Sequence, residues 1–387
     1  LSSLIKDQQI GERIVPIVPD EARTFGMEGM FRQLGIYSSV GQLYEPTDTG
    51  QVMYYRESKD GQVMEEGINE GGAFAAWLAA ATSYTNNDCP LVPFYVFYSM
   101  FGFQRVGDLC WAAGDLQARG FLMGATSGRT TLNGEGLQHQ DGHSHILAGT
   151  VPNCVTYDPT YAYELAVIIQ RGLEEMYVRK QAKYYYITVM NENYVQPAMP
   201  EGCEEGIIKG LYLLQKNTRK NNKKAVQLLG SGTILREVLA AADLLRDEFG
   251  VDADVWSATS FNELRREGLT TSRWNMLHPE ETPRVSYVEQ CLGGTKGPVI
   301  ASTDYVKSYA DQIREFIPAS YTVLGTDGFG RSDSRERLRH FFEVDRYFVV
   351  LAALTALVKD NVLPPGVVSE AIKKFNINPD KPNPAVS

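Results

Sequence analysis

Short apolar, β-branched or aromatic runs alternate along the chain with longer stretches in which apolar residues recur every three or four positions. The first pattern predicts buried strands and the second predicts amphipathic helices; their alternation predicts parallel sheets flanked by helices. In the first half, strands are predicted over 14–18, 92–98, 153–157 and 184–190, and helices over 71–82, 107–119 and 161–178. Asp158-Pro159-Thr160 supplies a stop and a cap for the last helix. Between Asn191 and Asn222 the texture changes to prolines, glycines and acidic residues followed by the run Lys216-Asn-Thr-Arg-Lys-Asn-Asn-Lys-Lys224. A domain boundary is placed in that stretch, giving domains 1–199 and 200–387. A second unit of the same kind follows, with strands near 225–229, 254–258, 299–302 and 322–324 and helices near 235–249, 305–316 and 347–359. The predicted fold class is therefore α/β, two domains with mainly parallel sheets flanked by helices. Three prolines in the nine residues 376–384 preclude a continuous helix and predict an extended tail.

The 387 residues, 43% apolar and 22% charged, are enough for two domains that each bury a core. A net charge of −10, from 37 basic and 47 acidic side chains, argues against a nucleic-acid partner, which demands many phosphate-neutralising cations. Nothing aromatic interleaves the basic run 216–224, so it reads as a solvated loop. The five cysteines contain no C-x-x-C pair; neither a disulfide framework nor a thiolate zinc site is indicated, and a reducing compartment fits. No run approaches the roughly 18 apolar residues of a membrane span. The first residues, Leu1-Ser-Ser-Leu-Ile-Lys-Asp7, lack both a signal peptide's apolar centre and an initiating Met. The chain is therefore read as part of a longer polypeptide, with further chemistry expected upstream.

Six segments carry candidate chemistry. Gly230-Ser-Gly-Thr-Ile-Leu235 sits where a dinucleotide fingerprint would, but Leu235 occupies its third glycine position, so a plain strand-to-helix turn is the better reading. Gly325-Thr-Asp-Gly-Phe-Gly-Arg331 lacks the ending of a phosphate loop and reads as a structural or subunit-contact loop. The densest polar segment runs from Gly124 to His145 and places His139, His143 and His145 near Asp141 and Glu135. Such a cluster suits a metal, a structural knot, or proton transfer and substrate orientation, the last being favoured. Glu70 stands at the mouth of an Ala-rich apolar helix. It serves either as a dipole partner or, shielded by Trp77 and aliphatic neighbours, as an acid that exchanges a proton with a buried heterocycle. The aromatic run 94–103 reads as core or as a cofactor platform. Asp20-Glu21-Ala-Arg23 follows the first strand, where ligands bind in α/β sheets.

These segments together resemble the homodimeric type of pyruvate dehydrogenase E1 component, a thiamine diphosphate family of the transketolase-like group. The resemblance spans essentially the whole chain and is densest in Asp20-Glu-Ala-Arg-Thr-Phe-Gly-Met-Glu-Gly29, Glu66-Gly-Ile-Asn-Glu70, Phe97-Tyr-Ser-Met-Phe-Gly-Phe-Gln-Arg105, Gly107-Asp-Leu-Cys-Trp-Ala-Ala-Gly114, Thr126-Ser-Gly-Arg-Thr-Thr-Leu-Asn-Gly-Glu-Gly-Leu-Gln-His139, Glu280-Glu-Thr-Pro-Arg284 and Leu324-Gly-Thr-Asp-Gly-Phe-Gly-Arg-Ser-Asp-Ser334. It implies a pyrimidine-binding domain followed by a transketolase C-terminal-like domain. The family's diphosphate-and-magnesium motif, Gly-Asp-Gly followed by Asn-Asn, is not in this sequence. The resemblance thus implies that the thiamine diphosphate and Mg2+ anchors lie outside this chain, on an N-terminal diphosphate-binding segment.

The implied activity is thiamine diphosphate-dependent oxidative decarboxylation of pyruvate with reductive acetylation of the lipoyl group of the dihydrolipoamide acetyltransferase (E2), in a bacterial cytoplasmic homodimer. Glu70 matches the acid that protonates N1′ of the aminopyrimidine, and Phe101 the ring that stacks on it. Tyr98, Glu21, Glu135 and His139 match residues on the substrate side: Tyr98 and His139 would hold substrate carboxylate and hydroxyl, and Glu21 and Glu135 would orient them. No metal ligand is assigned within the chain. After His139 the sequence reads Gln140-Asp141 where many relatives place an acidic pair. Two other readings stand beside this one: a non-catalytic dimerisation and interaction half when isolated, and an E1 for another 2-oxo acid.

Overall fold

The computed structural model describes residues 1–19, 22–217 and 223–387; Asp20, Glu21 and the centre of the basic run, residues 218–222, lie outside the described residues. The chain forms two compact units. The first comprises residues 1–127, 147–155 and 172–189, and the second 128–146, 156–171 and 190–387.

The first unit is built on a six-stranded sheet. Its strands are β1 (Ile14–Val18), β4 (Met64–Glu65), β5 (Val92–Phe97), β6 (Phe121–Gly124), β7 (Cys154–Tyr157) and β8 (Tyr184–Thr188), in the order β4-β1-β5-β6-β8-β7; a separate parallel pair joins β2 (Ile36–Tyr37) to β3 (Glu57–Ser58). β1 pairs in parallel with β4 and β5, β5 with β6, and β6 with β8. β1, β5, β6 and β8 are near-continuous apolar or aromatic runs because helices cover the sheet, so side chains pointing either way are buried. The helix Glu70–Ala81 lays Ala73, Phe74 and Trp77 against Ile17, Tyr95 and Phe97, and the Trp77 indole N–H donates to the Phe121 carbonyl at 3.2 Å. The helix Phe103–Asp115 adds Phe103, Val106, Cys110 and Ala113 to the same core. Each such large apolar side chain, once buried, contributes about 1.5–3 kcal/mol.

The second unit carries a five-stranded sheet of β9 (Tyr212–Gln215), β10 (Ala225–Gly230), β11 (Asp252–Ser257), β12 (Val299–Ser302) and β13 (Tyr321–Leu324), in the order β13-β12-β10-β11-β9. All pairings are parallel except that of the edge strand β9, which runs antiparallel to β11. The period of two sorts the strand residues between two cores: Val226, Leu228 and Ile300 pack with the helices Ile234–Phe249 and Arg346–Lys359, while Leu229, Val299 and Ala301 pack with Phe261, Tyr305 and Tyr309. The turn Gly230-Ser-Gly-Thr233 leads from β10 into the helix Ile234–Phe249, as its plain reading requires, and that helix ends on Gly250 at φ 62°, the left-handed cap that glycine adopts without strain.

Several predicted elements shift. The helix expected over 107–119 begins at Phe103, that over 161–178 ends as Ala162–Leu173 with a wide turn at Glu174–Val178, and that over 305–316 divides into Lys307–Asp311 and Arg314–Phe316. Among the described residues no helix is long and apolar enough to cross a membrane, and all five cysteines are free thiols.

Candidate functional site

In the first unit, candidate residues gather at the carboxyl end of the central strand β5, the position where parallel α/β sheets bind ligands. Tyr98 follows β5 directly, the tight turn Ser99–Phe101 comes next, and the helix Phe103–Asp115 starts after Gly102. The turn is compact because Gly102 has no side chain: a Cβ there would lie 2.1 Å from the Phe97 ring. Beside it, Asn69 caps the helix Glu70–Ala81, its side chain accepting from Gly72 N at 3.0 Å, and puts Glu70 in the first turn, where a carboxylate complements the helix dipole. The Tyr95 hydroxyl, donating to the Glu70 carbonyl at 3.4 Å, ties that helix start to β5. Burial and the nearby Glu70 charge push the Tyr95 phenol upward.

The Glu70 side chain is only 13% exposed, and its carboxylate pairs with Arg105 at 3.0 Å. The same guanidinium lies over the Phe101 ring, 4.0 Å from its centroid. Tyr98 meets Phe101 edge-on at 5.9 Å and Phe25 at 5.2 Å. The immediate neighbour of the Glu70 carboxylate is thus Arg105; Trp77 stands two helical turns away with its indole N–H committed to Phe121. Glu70, Phe101 and Tyr98 are brought together, and Arg105 joins them. Arg105 closes the motif Phe97–Arg105, whose sequence alone gives it no role. Its place four residues after Phe101, in the first turn of a helix, was the available signal. A cleft of about 530 Å³ in the same unit is lined by Ala22, Arg23, Phe31, Asp48, Tyr55 and Glu65. Its Ala22 follows Glu21, which lies outside the described residues.

Glu135 and His139 belong to the second unit, in the loop between Leu132 and the helix Ser144–Ala148. Both are half-buried. The stem of this loop is held from beneath by Asp304, which is fully buried and accepts from Thr130 N at 2.9 Å, Thr130 Oγ at 2.7 Å and Thr131 Oγ at 2.6 Å. Arg129, also buried, donates to the carbonyls of Thr326 and Gly328 and so ties the glycine-dense loop 325–331 to this stem. Asp141 accepts from His143 N and Ser144 N, each at 2.9 Å, and from the Ser144 hydroxyl, starting the short helix. His145 leaves the surface altogether: it stacks on Tyr309 at 4.8 Å, and burial pushes its pKa down to about 3, so the ring stays neutral. The histidine cluster therefore separates into a half-buried His139 and a structural His145. Among the described residues, no three His, Cys, Asp or Glu side chains converge as metal ligands.

The Glu70 carboxylate, at a helix start and largely withdrawn from water, is the kind of acceptor that a protonated heterocycle N–H needs. Nothing comparable among the described residues suits a divalent cation. Residues 1–197 match the family described as pyruvate dehydrogenase E1 component middle domain, and residues 210–345 the transketolase-like TK C-terminal domain. The chain is 69% identical over 385 residues to a pyruvate dehydrogenase E1 component from Pseudomonas aeruginosa, covering 99% of this chain and 44% of that protein. It is 61% identical over 389 residues to one from Escherichia coli, covering 100% and 43%. The chain thus spans less than half the length of these relatives. Among solved structures it is similar to the transketolase from Leishmania mexicana (TM-score 0.65, 16% identity, covering 90% of this chain and 43% of that one) and to a split gene transketolase described as an inactive beta4 tetramer (TM-score 0.58, 15% identity, covering 92% and 96%). At such identities these two share the fold.

Proposed function

The chain belongs to the pyruvate dehydrogenase E1 component family, and from that premise we propose that it forms the pyrimidine-binding and C-terminal part of an E1 that decarboxylates pyruvate oxidatively and acetylates the lipoyl group of a dihydrolipoamide acetyltransferase. The cofactor is thiamine diphosphate, which when bound would supply an electron sink for the electron pair left on the remaining carbon as the carboxylate departs as CO2. Its diphosphate and Mg2+ are assigned to residues outside this chain, and a second E1 subunit completes a homodimer in a bacterial cytoplasm.

Within this chain, Glu70 holds and returns a proton at the pyrimidine N1′. A carboxylate is needed for that exchange because a side chain of the same shape without an acid, such as Gln, cannot perform it. Phe101 offers its face to the pyrimidine ring, and Arg105 steadies both residues through the ion pair and the ring contact. Tyr98 and His139 hold the substrate's carboxylate and hydroxyl, with Glu21 and Glu135 orienting them. The observation carrying this reading is the convergence of Glu70, Arg105 and Phe101 at the end of β5.

The test is Glu70→Gln in the full-length protein supplied with thiamine diphosphate and magnesium. Thiamine-dependent pyruvate decarboxylation should fall by at least about 10²-fold, the scale of one positioned acid–base group, with the fold intact by circular dichroism. Near-normal turnover would overturn the assignment, and faster turnover of a larger 2-oxo acid than of pyruvate would replace the substrate. One observation favours a second reading for the isolated chain, that of a non-catalytic dimerisation and interaction half: the split gene transketolase that this chain matches over 96% of that protein's length is described as inactive. Calorimetry of the isolated chain decides it, tight binding of thiamine diphosphate and magnesium alone ruling that second reading out.

A further inference from the structure

The loop carrying Glu135 and His139 rises between two fully buried stems. Leu132 and Gln140 are 0% and 1% exposed, whereas Asn133, Gly134, Leu137 and Gln138 between them face solvent. The Gln140 side chain closes this loop at its base with both halves of its amide. Its Nε2 donates to the Leu132 carbonyl at 3.3 Å, and its Oε1 accepts from Arg331 N at 2.6 Å. The second bond fastens the loop to the glycine-dense segment 325–331, where Gly330 must be bare: a Cβ there would lie 2.5 Å from the Leu137 carbonyl oxygen and 2.9 Å from Gln140 Cβ.

We infer that Gln140 is a positioning residue that clasps the 132–140 loop and so sets the attitude of His139, its neighbour in the chain, and of Glu135 at the loop's crest. The inference rests on the proposed role of those two residues on the substrate side. Its chemistry lies in the pairing of one donor with one acceptor. An amide meets a carbonyl on one side and an N–H on the other. A carboxylate of the same shape can still accept from Arg331 N, but it turns a second acceptor toward the Leu132 carbonyl and loses a buried hydrogen bond. A protonated carboxyl restores the donor. The charged or titratable groups around this position are Glu135, His139 and Asp141 on the loop itself, Arg129 from the preceding segment, whose guanidinium lies against Gly142, and Asp327, Arg331, Asp333 and Arg335 from the segment packed across it, in which the Asp333 carbonyl accepts from Gly134 N and Arg335 donates to the Thr131 carbonyl. With both signs present, the acceptor-against-acceptor contact at Leu132 decides the outcome for a carboxylate. This gives a physical meaning to glutamine at a position where the family resemblance leads one to expect an acid.

The experiment compares Gln140→Glu and Gln140→Ala with the parent in the full-length protein, supplied with thiamine diphosphate and magnesium. It reads pyruvate turnover from pH 5.5 to 8 together with amide hydrogen exchange of the 133–139 segment, corrected for intrinsic rates. At pH 8 both variants should turn over pyruvate about tenfold more slowly, the effect of one lost buried hydrogen bond of about 1.4 kcal/mol, and exchange in 133–139 should quicken by a similar factor. As the pH falls, the ratio of Gln140→Glu to parent should climb back toward one while that of Gln140→Ala stays flat. A merely structural site would not yield this divergence. A pH-independent ratio for Gln140→Glu, or unchanged exchange in Gln140→Ala, overturns the clasp. If the parent itself fails to turn over pyruvate, the functional proposal falls, and the exchange ratios still decide whether Gln140 holds the loop.

Discussion

Asp304 is the deepest support of the same loop, and its removal has a calculable effect. Alanine at this position would take away a fully buried carboxylate that accepts three hydrogen bonds, from Thr130 N, Thr130 Oγ and Thr131 Oγ. The Thr131 hydroxyl keeps a partner in Thr233 Oγ at 2.7 Å, but the Thr130 amide N–H is left buried with no acceptor. Adding the desolvated donor to the small void gives about 3–5 kcal/mol, the range for breaking a buried polar pair. Asparagine should cost only about 1 kcal/mol: its oxygen accepts from Thr130, and its amide donates to Thr131 Oγ, which passes its own proton on to Thr233. Scanning calorimetry of the two variants checks this, because a unit of roughly 200 residues shifts its melting temperature by about 2–4 °C per kcal/mol. The alanine variant should therefore melt roughly 6–20 °C lower. Burial raises the Asp304 carboxyl above its ordinary 3.8, so the folded protein holds that proton to higher pH than the unfolded chain does. Asp304 then contributes progressively less stability as the pH climbs from 3.8 toward the raised folded value, levelling off above it, and Asp304→Asn should lack this slope. An alanine variant within about 1 kcal/mol of the parent, or an asparagine variant as damaged as the alanine one, would refute the reasoning.

Two further outcomes follow, one from Gly102 in the first unit and one from His145 in the second. Gly102→Ala drives a methyl to 2.1 Å from the Phe97 ring, which is 1% exposed and cannot retreat; a loss of about 1–3 kcal/mol in denaturant midpoint experiments is expected, and an unchanged midpoint would show that the turn has slack. His145, held neutral by burial with a pKa of about 3, should show no imidazole titration by NMR between pH 5 and 8. Because the unfolded chain takes up that proton near 6.5 and the folded one does not, stability should decline as the pH drops below 6.5 toward 3. A His145 midpoint above 6 would contradict the packing described.

What the sequence made legible tracks how local the determining forces are. β1 and β12 appear with the predicted bounds, since each is a short apolar run buried on both faces. β6 had no such contrast: its four residues follow Gly120, a short connection after the helix Phe103–Asp115. The edge strand β9 borders the basic run 216–224, and the helix Phe261–Leu277 is too polar for its apolar stripe to stand out. For the candidate site, motif recognition singled out Glu70, Tyr98 and Phe101, and local sequence already places them at a helix start and a strand end. Arg105 gains meaning only when two elements meet. Asp304 lies 174 residues from Thr130, so no pattern in the sequence could have paired them.

The chain changes unit five times, after residues 127, 146, 155, 171 and 189. Residues 156–171 alone give the second unit Tyr161 of its core and the buried Glu164 carboxylate, which accepts from Tyr212 at 2.7 Å and Ser257 at 2.6 Å. No single scission can therefore liberate either half whole. A fragment starting near residue 190 would emerge missing two strips of its own interior, with the Tyr212 and Ser257 hydroxyls stranded. Ribosomal synthesis meets the same constraint: the first unit cannot close before the 172–189 strip has left the exit tunnel, by which time two strips of the second unit are already waiting for a body to join.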